Sequence, residues 1–278
     1  MSNDIAPIRA ASQGTVIEQS RAVAEVAAAV RVAQDNPRDE SRAYADMQRA
    51  CQSLALASRA FYSVPNRGAG PSVHLARSLA RIFRNLDYGV RELARDDEAG
   101  TSEIQAFAWD QENNVRSTRT FIVPHVRMKG GRRSPLTDVS DIYLNNQNIG
   151  ARAVRECIFT VLPAEFVEDA QNLCRDTLNN GGGVPLPKRI TDMLGAFESL
   201  GVVADQLEEK IGRPRGKWTA QDVADMGILF GSIQRSEVSK EEAFPAKRVT
   251  AVEITGATPE PDASANTAWD QPAIGADQ

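Results

Sequence analysis

The hydrophobic period of this chain changes at Asn85, and that change limits the folds open to it. Before Asn85 the apolar residues recur at helical spacing. After it, Leu86–Arg95, Glu103–Asp110 and Val115–Val126 each read as extended, with β-branched and aromatic residues between turn signals. Asp96-Asp97-Glu98-Ala99-Gly100 separates the first two runs, and Gln111–Asn114 separates the second and third. The pattern predicts a three-stranded antiparallel meander with a helix before it.

The rest of the chain reads as helix. Val23, Val26 and Val30 predict a short helix that stops at the breaker Asp35-Asn36-Pro37. A longer one follows, with Asp39 and Glu40 in its first turn and an apolar stripe of Tyr44, Met47, Cys51, Leu54 and Phe61. Val64–Pro71, rich in Gly and Pro, reads as a loop. Ser72 caps a helix to about Asn85 that carries Arg77, Arg81 and Arg84 on one side. Beyond the meander, Arg127–Thr137 reads as a flexible basic loop, followed by a helix from about Asp138 to Leu162 and another over Ala164–Leu178. Asn179-Asn180-Gly181-Gly182-Gly183 reads as a hinge. Pro187–Gly212 and Thr219–Gln234 predict two further helices.

These elements give an α+β fold, mainly helical, with the meander packed on helices and a small helical C-terminal module. Aromatic residues make up only 6% of the chain, and Ala is abundant at helical spacing, which agrees with a mostly helical body. The predicted layout is a disordered 1–16, a core over 17–180, a helical module over 185–245 and a disordered acidic tail over 246–278. The three cysteines, Cys51, Cys157 and Cys174, each fall on an apolar helical position and read as reduced core residues of a cytosolic protein. No run of about 18 apolar residues spans a membrane, and no secretory signal opens the chain. The cytoplasm is therefore the expected compartment.

The net charge of −5 hides its distribution. Val249–Gln278 holds five acids and no Lys or Arg, which leaves 32 acids against 32 bases in the rest. Within Asn113–Arg155, eight bases (Arg116, Arg119, Arg127, Lys129, Arg132, Arg133, Arg152, Arg155) face only Asp138 and Asp141. A locally basic centre beside an acidic tail suits a polyanionic partner. Asn145, Asn148, Arg152 and Arg155 share one stripe of the long helix, with Val154, Cys157, Ile158 and Val161 on the opposite side.

Catalytic signatures are sparse. His74 and His125 lie far apart with no Cys at ligand spacing, which argues against zinc. There is no P-loop sequence and no G-x-S-x-G elbow. Asp87 and Glu103-Ile104-Gln105 resemble a degraded metal-nuclease pattern in which Gln105 replaces the Lys, so a metal-dependent nuclease is one alternative. A structural or adaptor protein whose basic patch binds an acidic protein surface is another. The strongest reading is binding. The basic residues would neutralise phosphates and release their counterions, Tyr143 would stack on bases, and Trp109 and Phe121 fit the core better than a base.

The run Gly70-Pro-Ser-Val-His-Leu-Ala-Arg77 with Asn85-Leu-Asp-Tyr-Gly-Val-Arg91, the strand Ala106-Phe-Ala-Trp-Asp110, and Asn148-Ile-Gly-Ala-Arg-Ala-Val-Arg155 through Val161-Leu-Pro163 resemble the core of the RecT/Redβ-type phage single-strand annealing proteins. Thr219–Pro245, ending in Glu241-Glu-Ala-Phe-Pro245, resembles the C-terminal helical piece of phage recombinases. Asn148 stands where the family's helix often carries Lys. The resemblance implies ATP-independent binding of single-stranded DNA and annealing of complementary strands in phage-type homologous recombination, inside a bacterial host. It implies rings or filaments of many copies, no cofactor beyond Mg²⁺ as an aid to DNA binding, and a DNA groove between sheet and helix that also holds the annealed duplex intermediate. Arg116, Arg119, Arg127, Lys129, Arg132, Arg133, Arg152 and Arg155 would contact phosphates, and Tyr143, Asn145 and Asn148 sugars or bases. The N-terminal helices would form the subunit interface. The C-terminal module would recruit a partner exonuclease or the host single-strand-binding protein.

Overall fold

In the structure, a computed structural model, residues 12–65, 68–129 and 132–245 are described, with the side chains of Met128, Lys129 and Arg132 excepted. The expected disorder of residues 1–11 and 246–278 lies outside these residues. Residues 12–16, also expected to be disordered, are ordered instead. The Ser12 hydroxyl accepts from the Thr15 amide and starts α1 (Gln13–Asp35), so the predicted short helix begins three turns early. It stops at Asn36, as the breaker predicts, because Pro37 disfavours a helical residue before it.

Asp39 caps α2 (Glu40–Cys51). The single long helix expected through Phe61 breaks after Cys51: Ser53 caps a separate turn, α3 (Leu54–Ala57), and Phe61 opens a strand. That strand, β1 (Phe61–Val64), pairs antiparallel with β2 (Gly68–Pro71), so part of the expected loop is a hairpin. Ser72 then caps α4 (Val73–Phe83), accepting from the amides of His74 and Leu75.

The meander forms as predicted. β3 (Leu86–Asp96), β4 (Thr101–Asp110) and β5 (Val115–Pro124) make a three-stranded antiparallel sheet in the order β3-β4-β5. Its helix-to-strand entry turns through Arg84 and Asn85, both at positive φ, a backbone shape that asparagine tolerates better than most side chains. A buried clasp fixes this corner. Arg38 pairs with Asp110 and Glu112, and the Asn85 amide donates to Glu112 at 2.8 Å and to the Asn36 carbonyl at 3.1 Å. Burial pushes the Glu112 carboxyl up, but the bonds from Asn85 and Arg38 outweigh it and hold it below the usual carboxylate range.

The basic segment expected as a flexible loop is a second hairpin. β6 (Val126–Lys129) pairs with β7 (Arg132–Pro135), and its Gly130-Gly131 tip lies outside the described residues. Asp138 caps α5 (Val139–Val161), and α6 (Ala164–Asn180) follows Pro163. The predicted helix Pro187–Gly212 is two, α7 (Leu186–Glu198) and α8 (Ala204–Ile211). The break falls at Gly201, whose φ of 73° closes the end of α7 at little cost only to glycine. Thr219 and Asp222 form a capping box for α9 (Ala220–Gln234), and α10 (Lys240–Ala243) ends the described helices.

Two cores result. The first gathers Met47, Leu75, Leu79, Phe83, Ala106, Ala108, Val154, Ile158 and Phe166, and includes all three cysteines, buried and free of disulfides. The second gathers Phe197, Leu207, Trp218, Leu229 and Phe244, together with Val64 from β1. α9 serves both, giving Ile228 to the first and Met226 and Leu229 to the second. It is stitched to β1 by the Ser63 amide donating to the Ser232 hydroxyl at 2.9 Å and by Arg235 donating to the Phe61 carbonyl at 3.1 Å. Arg189 straps the glycine-rich turn before α7, donating to the carbonyls of Leu178 and Asn179. Among the described residues, no helix is long and apolar enough to cross a membrane.

Candidate nucleic-acid interface

The strand register sorts the sheet into two faces, since side chains directly opposite one another point the same way. Tyr88, Val90, Ile104, Ala106, Ala108 and Phe121 share the face that α5 covers. Small residues let the helix come close. A Cβ added to Gly150 would sit 2.8 Å from a Val90 methyl, and the Cys157 thiol approaches the Ala106 carbonyl at 3.7 Å. This interface is closed, so no groove for a strand runs between α5 and the sheet.

The opposite face carries Asp87, Gly89 and Arg91 on β3, Glu103, Gln105, Phe107 and Trp109 on β4, and Arg116, Thr118, Thr120 and Ile122 on β5. Phe107 and Trp109 are buried, yet they belong to neither core. Their cover comes from the edge strands. The Arg91 guanidinium lies 4.3 Å from the Phe107 ring centre, and that of Arg116 lies 5.8 Å from Phe107 and 6.0 Å from Trp109. The Trp109 indole N–H donates to Asn114 at 3.1 Å. Neither arginine has a carboxylate partner among the described residues, and Ile122, six residues beyond Arg116 on the same face of β5, is 62% exposed.

The remaining expected contacts are distributed over other surfaces. Arg119 sits opposite Ala106, hence on the α5 side of the sheet, exposed on the edge strand β5 and unpaired among the described residues. Arg127 pairs with Asp141 at 3.4 Å, joining the β6–β7 hairpin to the start of α5. Arg133 is exposed on the same hairpin, where the register also pairs Lys129 with Arg132. On α5, Ile142, Asn146, Gly150, Val154, Cys157, Ile158 and Val161 are buried, so Asn148 and Arg152 of the expected stripe point away from the sheet, while Asn145 and Arg155 are half-buried. Asn145 donates to the Pro124 carbonyl at 3.3 Å, and Asn148 and Arg152 are exposed. Arg155 is largely withdrawn: it pairs with Glu156 at 2.7 Å and stacks 4.8 Å from the Tyr62 ring centre. Tyr143 is 56% exposed at the start of α5. Trp109 belongs with the buried residues and Phe121 packs half-buried against the first core.

The expected cations therefore divide between two surfaces. One is the open sheet face with Arg116, where Arg91 joins it. The other is the outer side of α5 with the neighbouring hairpin. Arg91 was not among the sequence candidates, although alternation along β3 sets it on the same face as Phe107's neighbour Gly89.

The nuclease constellation does not assemble. Asp87 lies opposite Trp109, and Glu103 is six positions away along β4, about 20 Å at ~3.3 Å per residue, too far to share one cation. Among the described residues, no group of three or more His, Cys, Asp or Glu is placed to hold a metal ion. His125 is instead tied into a buried chain: its Nε2 donates to the Ser102 hydroxyl at 2.8 Å, which donates to Glu92 at 2.9 Å. No protein-family model, curated protein or solved structure matches this chain.

Proposed function

We propose that this chain binds single-stranded DNA and speeds the pairing of complementary strands without ATP, working as an assembly of its own copies. The observation that carries the reading is the open sheet face, where arginines from both edge strands, without a carboxylate partner among the described residues, lie over two aromatic rings. A single strand presents what such a face lacks: phosphates for the guanidinium groups and flat bases for the rings, each stacked base contributing roughly 1–3 kcal/mol. Arg119, Arg133 and Arg152 extend the cationic surface, and Asn148 and Tyr143 offer further contacts to sugars or bases. Strands held this way keep their pairing edges available to a complement.

The assembly would use α1. Val16, Ile17, Val23, Val26 and Val32 are all exposed on it, and only Ala33 is buried. A second copy is the occupant proposed for this surface. The C-terminal helices, which build the second core together with Val64 of β1, are left to meet an exonuclease or a single-strand-binding protein.

Mixing labelled complementary oligonucleotides with the protein at low salt and without nucleotide tests the proposal. Pairing should be faster than spontaneous, the strands should stay intact with Mg²⁺ present, and the effect should fall steeply with salt. Pairing no faster than in buffer would sink it.

A further inference from the structure

A different part of the molecule holds cations that the DNA reading does not use. Between α3 and the first turns of α4 lies a cavity of about 200 Å³ lined by Ala55, Leu56, Arg59, His74, Arg77 and Ser78. No carboxylate lines it. Arg59 is fixed in place by the backbone on either side of it: the Ser72 hydroxyl donates to the Arg59 carbonyl, and the Ser72 amide donates to the Ala60 carbonyl at 2.8 Å. The same serine caps α4, so the cap, the arginine and the start of the helix form one unit.

Within that unit the Arg59 guanidinium sits 3.1 Å from Nδ1 of His74. A guanidinium can only donate, so Nδ1 accepts, and the imidazole is neutral with its proton on Nε2. Arg77 and Ser78 follow His74 by three and four residues and reach the same side of the helix. Burial lowers the His74 pKa first, and the charges of Arg59, Arg235 and Arg77 lower it further, while Glu237 alone opposes them. Glu237 is already engaged by Arg235 at 3.0 Å. The one anion acting on His74 is thus already paired, and Arg59 and Arg77 have no carboxylate partner among the described residues.

We infer that this cavity binds a single phosphate group, gripped by Arg59, Arg77 and Ser78 and joined by His74 in its protonated form. The room suits a tetrahedral anion with a few waters, each water taking a ~30 Å³ share. The positive end of α4 adds to the attraction. Binding is coupled to a proton. When phosphate arrives, its negative charge favours imidazolium. Protonated Nδ1 can then no longer accept from Arg59, which releases that guanidinium to the anion.

The test reads the two histidine ring signals by proton NMR across a pH titration of the full chain. Inorganic phosphate at millimolar concentration should raise the His74 midpoint by about half a unit or more over sodium chloride of equal ionic strength, because a fixed anion does more than screening. His125, held by Ser102, should not follow. Arg77→Gln, at an exposed site, should leave the melting temperature alone and abolish the phosphate-specific shift. Equal shifts in chloride and phosphate, or a full response in Arg77→Gln, would overturn the inference. Oligonucleotides identify the source. A shift from a 5′-phosphorylated strand but not a 5′-hydroxyl strand assigns the site to strand ends, and a shift from both assigns it to backbone phosphates. A shift from inorganic phosphate alone assigns it to the free ion. Because the inorganic phosphate arm involves no DNA, it stands or falls independently of the annealing assay.

Discussion

α1 and α5 are both 23 residues long, and they use their side chains in opposite ways. α1 settles its charges internally: Arg21 pairs with Glu25 at 2.8 Å and Arg31 with Asp35 at 2.9 Å, each one turn away. Such pairs contribute only about 0.3–0.5 kcal/mol each, yet they give both arginines of the helix an acid partner. Its valines and isoleucine are left exposed. α5 does the reverse, burying seven residues against the sheet and the first core while Arg152 has no acid partner among the described residues. What each helix leaves unsatisfied differs accordingly. α1 has apolar surface to give, which suits another copy of the chain. α5 has charge to give, which suits a polyanion. α1 meets the sheet that α5 covers at its far end, where the Arg38–Asp110–Glu112 clasp holds its C-terminus to the corner of that sheet.

The largest effect that would break this contrast is expected in α5. Val154→Asp places a carboxylate at a site 1% exposed and should cost more than about 4 kcal/mol, enough to abolish a cooperative thermal melt. A normal melt would mean α5 is not the buried partner. Second is the clasp. Because the Glu112 carboxyl titrates lower folded than unfolded, its stabilisation is complete above its ordinary value of 4.5 and disappears as pH falls through the lowered folded value. Glu112→Gln should therefore cost about 1.5–3 kcal/mol at neutral pH and progressively less as pH falls below 4.5, read by urea denaturation across that range. A cost independent of pH would assign the loss to packing. Third, Arg152→Gln and Arg116→Gln should each weaken single-strand binding a few-fold and reduce the slope of log affinity against log salt by about 0.7. An unchanged slope would remove that arginine from the phosphate contacts. The smallest effect on stability belongs to α1: Val26→Asp should change the melt by less than about 0.5 kcal/mol. It should nevertheless disrupt self-association in sedimentation, and an intact assembly would detach α1 from the interface.

Much of the fold was legible because its signals are local. Alternation between turn residues marked the three strands, and Ser72, Asp138 and Thr219 marked helix starts. What escaped depended on competition between signals. Phe61 continued the apolar spacing of the preceding helix, but Ser53 started a new turn and the strand took Phe61 instead. Gly201 sat inside a helical period, and only its positive φ shows that it ends α7. The β6–β7 segment looked like a loop because it is charged. Its glycine pair between two four-residue strands is nevertheless a hairpin signal, and charge does not prevent strand pairing at a surface. The candidate site was half legible. The stripe on α5 is a matter of helical angle, which leaves Asn148 and Arg152 exposed but not Asn145, bonded to Pro124, or Arg155, paired with Glu156. Arg116 and Arg119, three residues apart on one strand, must face opposite ways, and strand parity alone separates them. Arg91 needed the cross-strand register, which places it beside a ring from another segment.

The guanidinium cover over Phe107 and Trp109 has a kinetic consequence. Arg91 and Arg116 can leave the rings by rotation about their own side-chain bonds, a picosecond-to-nanosecond event that breaks no backbone hydrogen bond. Each departure gives up a cation–π contact of about 0.5–1 kcal/mol, a deficit that an arriving flat, anionic ligand can return. The sheet can thus switch from a sealed surface to a receptive one with its strands stationary, so capture need not wait for a slow rearrangement of the protein.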